Sequence, residues 1–171
     1  MSSEEYTLRQ VAEIITGTTD PAVISRVSRQ VRHWTAEDIV PTLGGKHGGS
    51  GVHRRYDANA VRRAAITLEL VRYGITITSL EPFDEYLDDI ADHPKWEKAV
   101  SGGENVFLSY SIECVEDGNT PIGLGTRDEA DPLRLVEAQT EEDYGRGLIE
   151  VKNYASTLVI NLTKLFARLD L

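Results

Sequence analysis

The sequence holds one cysteine among 171 residues, so no intrachain disulfide can form and a cysteine-rich zinc module is excluded. A reducing, cytoplasmic setting is expected. No apolar run approaches the roughly 18 residues that a membrane-spanning helix needs, so no membrane partner is expected. The first six residues are polar and acidic, unlike a secretory signal. His33, His47, His53 and His93 are scattered, and none stands at helical ligand spacing from another histidine. A site made of His47, His53 and Cys114 would have to be held by a glycine loop with no further ligands. Gly123-Leu124-Gly125 lacks the third glycine and the following helix of a dinucleotide loop. No catalytic residue, metal or cofactor is therefore expected, and Cys114 is read as a small buried residue. What is present is ordinary for a folded protein: 40% hydrophobic and 27% charged residues, enough for one domain or two small ones.

The net charge is -10, which taken whole argues against nucleic acid. Its distribution argues the other way. Residues 22–74 carry nine basic side chains (Arg26, Arg29, Arg32, Lys46, Arg54, Arg55, Arg62, Arg63, Arg72) against four acids, a local +5. Residues 81–171 carry 8 basic and 20 acidic residues, a balance of -12. A basic binding face joined to an acidic body has this signature, and so does an unevenly charged solvated surface.

Along the chain, Thr7 and Gln10 have capping-box spacing, which predicts a helix over 7–15 with Val11, Ile14 and Ile15 on one face. Asp20-Pro21 reads as N-cap and first helical residue of a second, basic helix. Its apolar side is read as Val23, Val27, Val31 and Trp34. Five glycines within residues 44–51 predict a loop, and residues 52–56 the returning strand of a hairpin. Asp57 caps a third helix over 58–73, with Val61, Ala64, Ala65, Leu68 and Val71 as its apolar face and Gly74 at its C′ position. Thr78 and Glu81 open a further helix to about residue 90, whose acids Asp84, Glu85, Asp88 and Asp89 form a solvated face. Residues 92–103 read as a linker around Lys95-Trp96. Alternation over 106–114 predicts a strand, Asp117-Gly118-Asn119 a turn, and 133–138 and 147–152 shorter strands. Tyr154, Ala155, Leu158, Leu162, Leu165, Phe166 and Leu169 fall at helical spacing, predicting a closing helix over 154–169.

Helix, turn, basic helix, glycine-rich hairpin, helix is the order of a winged helix-turn-helix. Four local sequences carry a closer likeness. Tyr6-Thr7-Leu8-Arg9-Gln10-Val11-Ala12 resembles the opening of MerR-family regulators. Val31-Arg32-His33-Trp34 with Ile39-Val40 resembles the end of that family's second helix. His53-Arg54-Arg55-Tyr56 resembles its wing signature, and residues 68–80, with Arg72-Tyr73-Gly74-Ile75, its following helical segment. The likeness covers residues 6–90. It departs from the family in a longer first turn, in His33-Trp34 at the usual aromatic pair, in the glycine-rich wing, and in the absence of the long dimer coil after residue 90. It implies a DNA-binding head and a transcription regulator.

The expected fold class is thus α+β: a winged helix-turn-helix head over 1–91 and a small C-terminal α/β module over 104–171 for dimerisation or effector binding. The expected partner is double-stranded DNA. Arg26, Arg29 and Arg32 on the second helix can bond guanine O6 and N7 in the major groove, and Ser25 and Ser28 are small enough to let the backbone approach. In the wing, Lys46, His47, Arg54, Arg55 and Tyr56 suit phosphate or minor-groove contact. Arg62, Arg63 and Arg72 are read as surface groups or phosphate contacts. A homodimer is expected, with the leucine stripe of the closing helix as its seam and Ile160 as a sign that the opposite side is covered too. Trp96, Tyr110 and Tyr144 fit either a core or the pocket of an effector that the sequence does not identify. Two other classes use the same features: a phage-type structural DNA-handling factor resembling an excisionase or small terminase subunit, and a protein-interaction adaptor.

Overall fold

Thr7 begins the first helix. Its hydroxyl accepts a hydrogen bond from the Gln10 backbone N–H at 3.3 Å, while the Gln10 side chain accepts one from the Thr7 N–H at 2.9 Å. This reciprocal pair opens α1 (Leu8–Thr16) and satisfies two otherwise orphaned donors. Gly17 closes it in the left-handed region at φ 63°, with its N–H on the Glu13 carbonyl at 2.9 Å. After a short turn, Asp20 accepts from the Ala22 N–H at 2.8 Å, and Pro21 starts α2 (Pro21–Ala36). Asp57 accepts from the Ala60 N–H at 2.7 Å and starts α3 (Ala58–Arg72). Each such cap contributes about 1 kcal/mol. The computed structural model describes residues 4–44, 53–76, 91, 94–102, 105–113, 133–137 and 154–171. Several sequence expectations lie outside the described residues: Lys46 and His47 with most of the glycine loop, the helix over 78–90, His93, Cys114, the turn at 117–119, Gly123 to Gly125, Tyr144 and the strand over 147–152.

Mixed helix and sheet make up two compact units, one of Met1–Ala91 with Arg168–Leu171 and the other of Asp92–Ala167. In the first, β1 (Tyr6–Thr7) pairs antiparallel with β2 (Arg55–Tyr56), Tyr6 opposite Tyr56 and Thr7 opposite Arg55. Leu43 bridges the same Arg55, donating its N–H to the Arg55 carbonyl at 2.9 Å. The chain on either side of the glycine-rich segment is therefore brought together, as a returning strand requires. Val11, Ala12 and Ile15 from α1, Val27, Val31 and Trp34 from α2, and Tyr56 from β2 are buried together with most of α3. Burial of each large apolar side chain contributes roughly 1.5–3 kcal/mol.

Two side-chain expectations for this unit need correction. On α2 the buried side is Ile24, Val27, Val31, Trp34 and Thr35, with Val23 only half-buried. Val27, Val31 and Trp34 are buried as read from the sequence; Ile24 takes the place of Val23, and Thr35 joins the buried side. On α3 the buried surface reaches almost all round, and Arg63 is inside at 3% exposure, not at the surface.

In the second unit, β3 (Val106–Glu113) is the centre of an antiparallel sheet, with β4 (Leu133–Glu137) and β5 (Tyr154–Asn161) on its two sides. Residues 94–101 are a helix, α4 (Pro94–Ser101), where a linker is read from the sequence. Its Trp96 is buried and meets Phe166 edge-on, ring centroids 4.9 Å apart, so this aromatic is core. More consequential, the closing helix over 154–169 does not form. Residues Tyr154–Asn161 pair with β3, and only α5 (Leu162–Phe166) is helical. Thr157, Val159 and Ile160 are β-branched and favour the pleated conformation. Asn161 then caps α5, accepting from the Lys164 N–H at 2.9 Å. Ile160 is buried opposite Leu108 in the sheet. The leucine stripe is therefore divided between a strand and a single helical turn and does not form a coiled-coil seam.

Candidate nucleic-acid interface

An amphipathic helix with one side in a core must turn the other to solvent, and α2 is buried on one stripe only. Its exposed residues are Pro21, Ala22, Ser25, Arg26, Arg29, Arg32, His33 and Ala36. No carboxylate stands on that face. The nearest acids in sequence lie beyond its ends: Asp20 as N-cap, and Glu37 and Asp38 after the C-terminus. His33 Nδ1 lies 3.7 Å from Glu37 Oε1. Arg26, Arg29 and Arg32 succeed one another at three-residue spacing, so their stems rise as neighbours along the helix. None of the three makes an ion pair among the described residues.

The contrast with other arginines of the same unit is direct. Arg9 pairs with Glu13 at 2.8 Å, Arg72 with Glu69 at 2.8 Å, and Arg168 with Glu69 at 3.6 Å. Arg62 donates to Asn59 Oδ1 at 3.1 Å, and burial pulls its guanidinium below the usual range, opposed by the charges of Tyr6 and Asp57. Arg26, Arg29 and Arg32 stand on the face where the side chains of Ala22, Ser25 and Ala36 are small and exposed.

Of the other sequence-derived site residues, Ser28 is half-buried beside this face, and Arg55 is exposed on β2. Arg54 is half-buried and donates through Nη1 to the Arg32 carbonyl at 3.4 Å. Tyr56 is corrected from contact residue to core. It is fully buried, and its hydroxyl lies 3.3 Å from Thr35 Oγ1. Thr35, in turn, donates to the Val31 carbonyl at 2.9 Å. The sequence reading missed Thr35. The signal was a polar residue directly after Trp34 within the apolar stripe of α2, where a hydroxyl needs a partner.

No protein-family model matches the chain, and no curated protein matches it in sequence. Among the described residues no group of histidine, cysteine, aspartate or glutamate side chains is arranged to hold a metal ion. No described helix is long and apolar enough to cross a membrane.

Proposed function

We propose that the first unit is a winged helix-turn-helix head that binds double-stranded DNA, with α2 in the major groove. The observation that carries this reading is the exposed face of α2: three arginines in a row, no carboxylate among them, and no ion pair to any described residue. A helix with its side chains is about 10–12 Å across, which suits the roughly 12 Å major groove of B-form DNA. Arginine is the residue that best reads guanine there, by bonding O6 and N7 together. Phosphates supply most of the affinity, so a local cationic face can bind although the whole chain is acidic. Arg55 on β2 serves the flanking backbone.

The output we propose is control of transcription, by recognition without chemistry. A single small head covers few base pairs, and pairing of two heads on a two-fold site is how such proteins gain specificity. A closing coiled coil cannot provide that pairing here, because residues 154–161 are strand; a homodimer would use another surface.

The test is band-shift titration of the full chain on a duplex that the wild type itself selects from a random-sequence pool. Arg29→Ala is expected to weaken binding by about 1–3 kcal/mol and to relax base preference at one position. Unchanged affinity and preference in Arg29→Ala would contradict the groove assignment of α2.

A further inference from the structure

Arg54 and Arg55 are adjacent in sequence and alike in charge, yet their surroundings differ. Successive residues of an extended chain point to opposite sides, so residues 54 and 56 share one side and 55 takes the other. The contacts follow that alternation. Arg54 donates to the Arg32 carbonyl at 3.4 Å, close to the negative end of the α2 dipole. Tyr56, two residues on, is fully buried and bonds Thr35 Oγ1 at 3.3 Å, in the last turn of the same helix. Arg55 is exposed and makes no ion pair among the described residues.

We propose that Arg54 is a positioning residue, which with Tyr56 clamps β2 to the C-terminal part of α2, and that Arg55 alone is the cation this strand presents to a DNA phosphate. The clamp fixes where Arg55 stands relative to Arg29 and Arg32, so the two elements meet a duplex in one register. The proposal rests on the DNA-binding reading for its functional consequence, but the clamp itself is a property of the free protein. It divides the roles of two arginines that sequence alone treats as equivalent.

The experiment compares Arg54→Gln, Arg55→Gln, Arg55→Lys and Tyr56→Phe in the full chain, in two arms. In the absence of DNA, amide hydrogen exchange over residues 33–36 is expected to quicken several-fold in Arg54→Gln and Tyr56→Phe and to stay at the wild-type rate in Arg55→Gln. In the second arm, a labelled duplex selected by the wild type and a scrambled duplex are titrated over a series of salt concentrations. Arg55→Gln is expected to weaken both duplexes alike and to lower the salt slope by about one, with Arg55→Lys restoring it. Arg54→Gln and Tyr56→Phe are expected to keep the wild-type slope and to lose roughly three- to tenfold in preference for the selected duplex. Wild-type exchange in Arg54→Gln, with a salt slope lowered as in Arg55→Gln, would overturn the clamp and make Arg54 a phosphate contact. Failure of the wild type to bind any duplex would refute the DNA reading, and the exchange arm alone would then confirm or refute the clamp.

Discussion

The Tyr56 hydroxyl and Thr35 Oγ1 lie 3.3 Å apart with both side chains buried, joining strand β2 to the last turn of α2 across 21 residues of sequence. Removing only the hydroxyl, in Tyr56→Phe, is expected to cost about 1 kcal/mol, the net value of one hydrogen bond. Tyr56→Ala also opens a cavity and is expected to cost about 3–5 kcal/mol. Urea unfolding of the full chain separates the two. A cost for Tyr56→Ala no larger than the roughly 0.5 kcal/mol of a surface substitution would place this ring outside the core.

Gly17 gives a cleaner test of backbone against packing. Its φ is 63°, and a Cβ added there would meet nothing within 4 Å. Gly17→Ala therefore adds no clash, only the cost of a left-handed L-residue, about 1–2 kcal/mol. Gly17→Asn is expected to cost less, because asparagine tolerates that conformation. Thermal unfolding of both variants checks the order. Equal stability of wild type and Gly17→Ala would mean that α1 ends elsewhere.

How much of this was legible in the sequence depends on how local each signal is. Thr7 with Gln10, Asp20 before Pro21, and Asp57 are caps that act within four residues, and α1, α2 and α3 begin where those residues place them. The strand over 106–113 was legible by its alternation. Residues 154–161 were not, because Tyr154, Ala155, Leu158 and Leu162 satisfy a helical stripe while Thr157, Val159 and Ile160 satisfy a strand. Pairing with β3, a partner more than 40 residues away, decides between the two. The candidate face was legible as a row of arginines on α2. The split between Arg54 and Arg55 was not, because it depends on which side of β2 faces α2. Arg63 failed for a similar reason: α3 is buried nearly all round, and amphipathic patterning assumes one wet face.

Tyr6 gives the first unit a pH dependence with a definite sign. Burial, and then its hydrogen bond to Glu4 Oε2 at 3.1 Å, raise the phenol above its ordinary pKa of 10.0. A raised value favours the protonated form in the folded state. The resulting stability is fully present below pH 10.0 and is lost as pH rises through the folded pKa. Thermal stability of the wild type is therefore expected to fall on the alkaline side, and Tyr6→Phe to flatten that fall. Parallel alkaline profiles for the two proteins would contradict the assignment.

The central claim, that the exposed arginine face of α2 binds duplex DNA, is tested most directly by the salt dependence of binding in the full chain and in Arg26→Ala/Arg29→Ala/Arg32→Ala. Affinity for a selected duplex, plotted against salt on logarithmic axes, reports the number of phosphate-neutralising cations, and base-reading arginines add a loss of preference beyond the slope. The expected result is a steep wild-type slope, and in the triple variant a shallower one with the preference for the selected over a scrambled duplex abolished. A triple variant that folds and binds with the wild-type slope and preference would contradict the account.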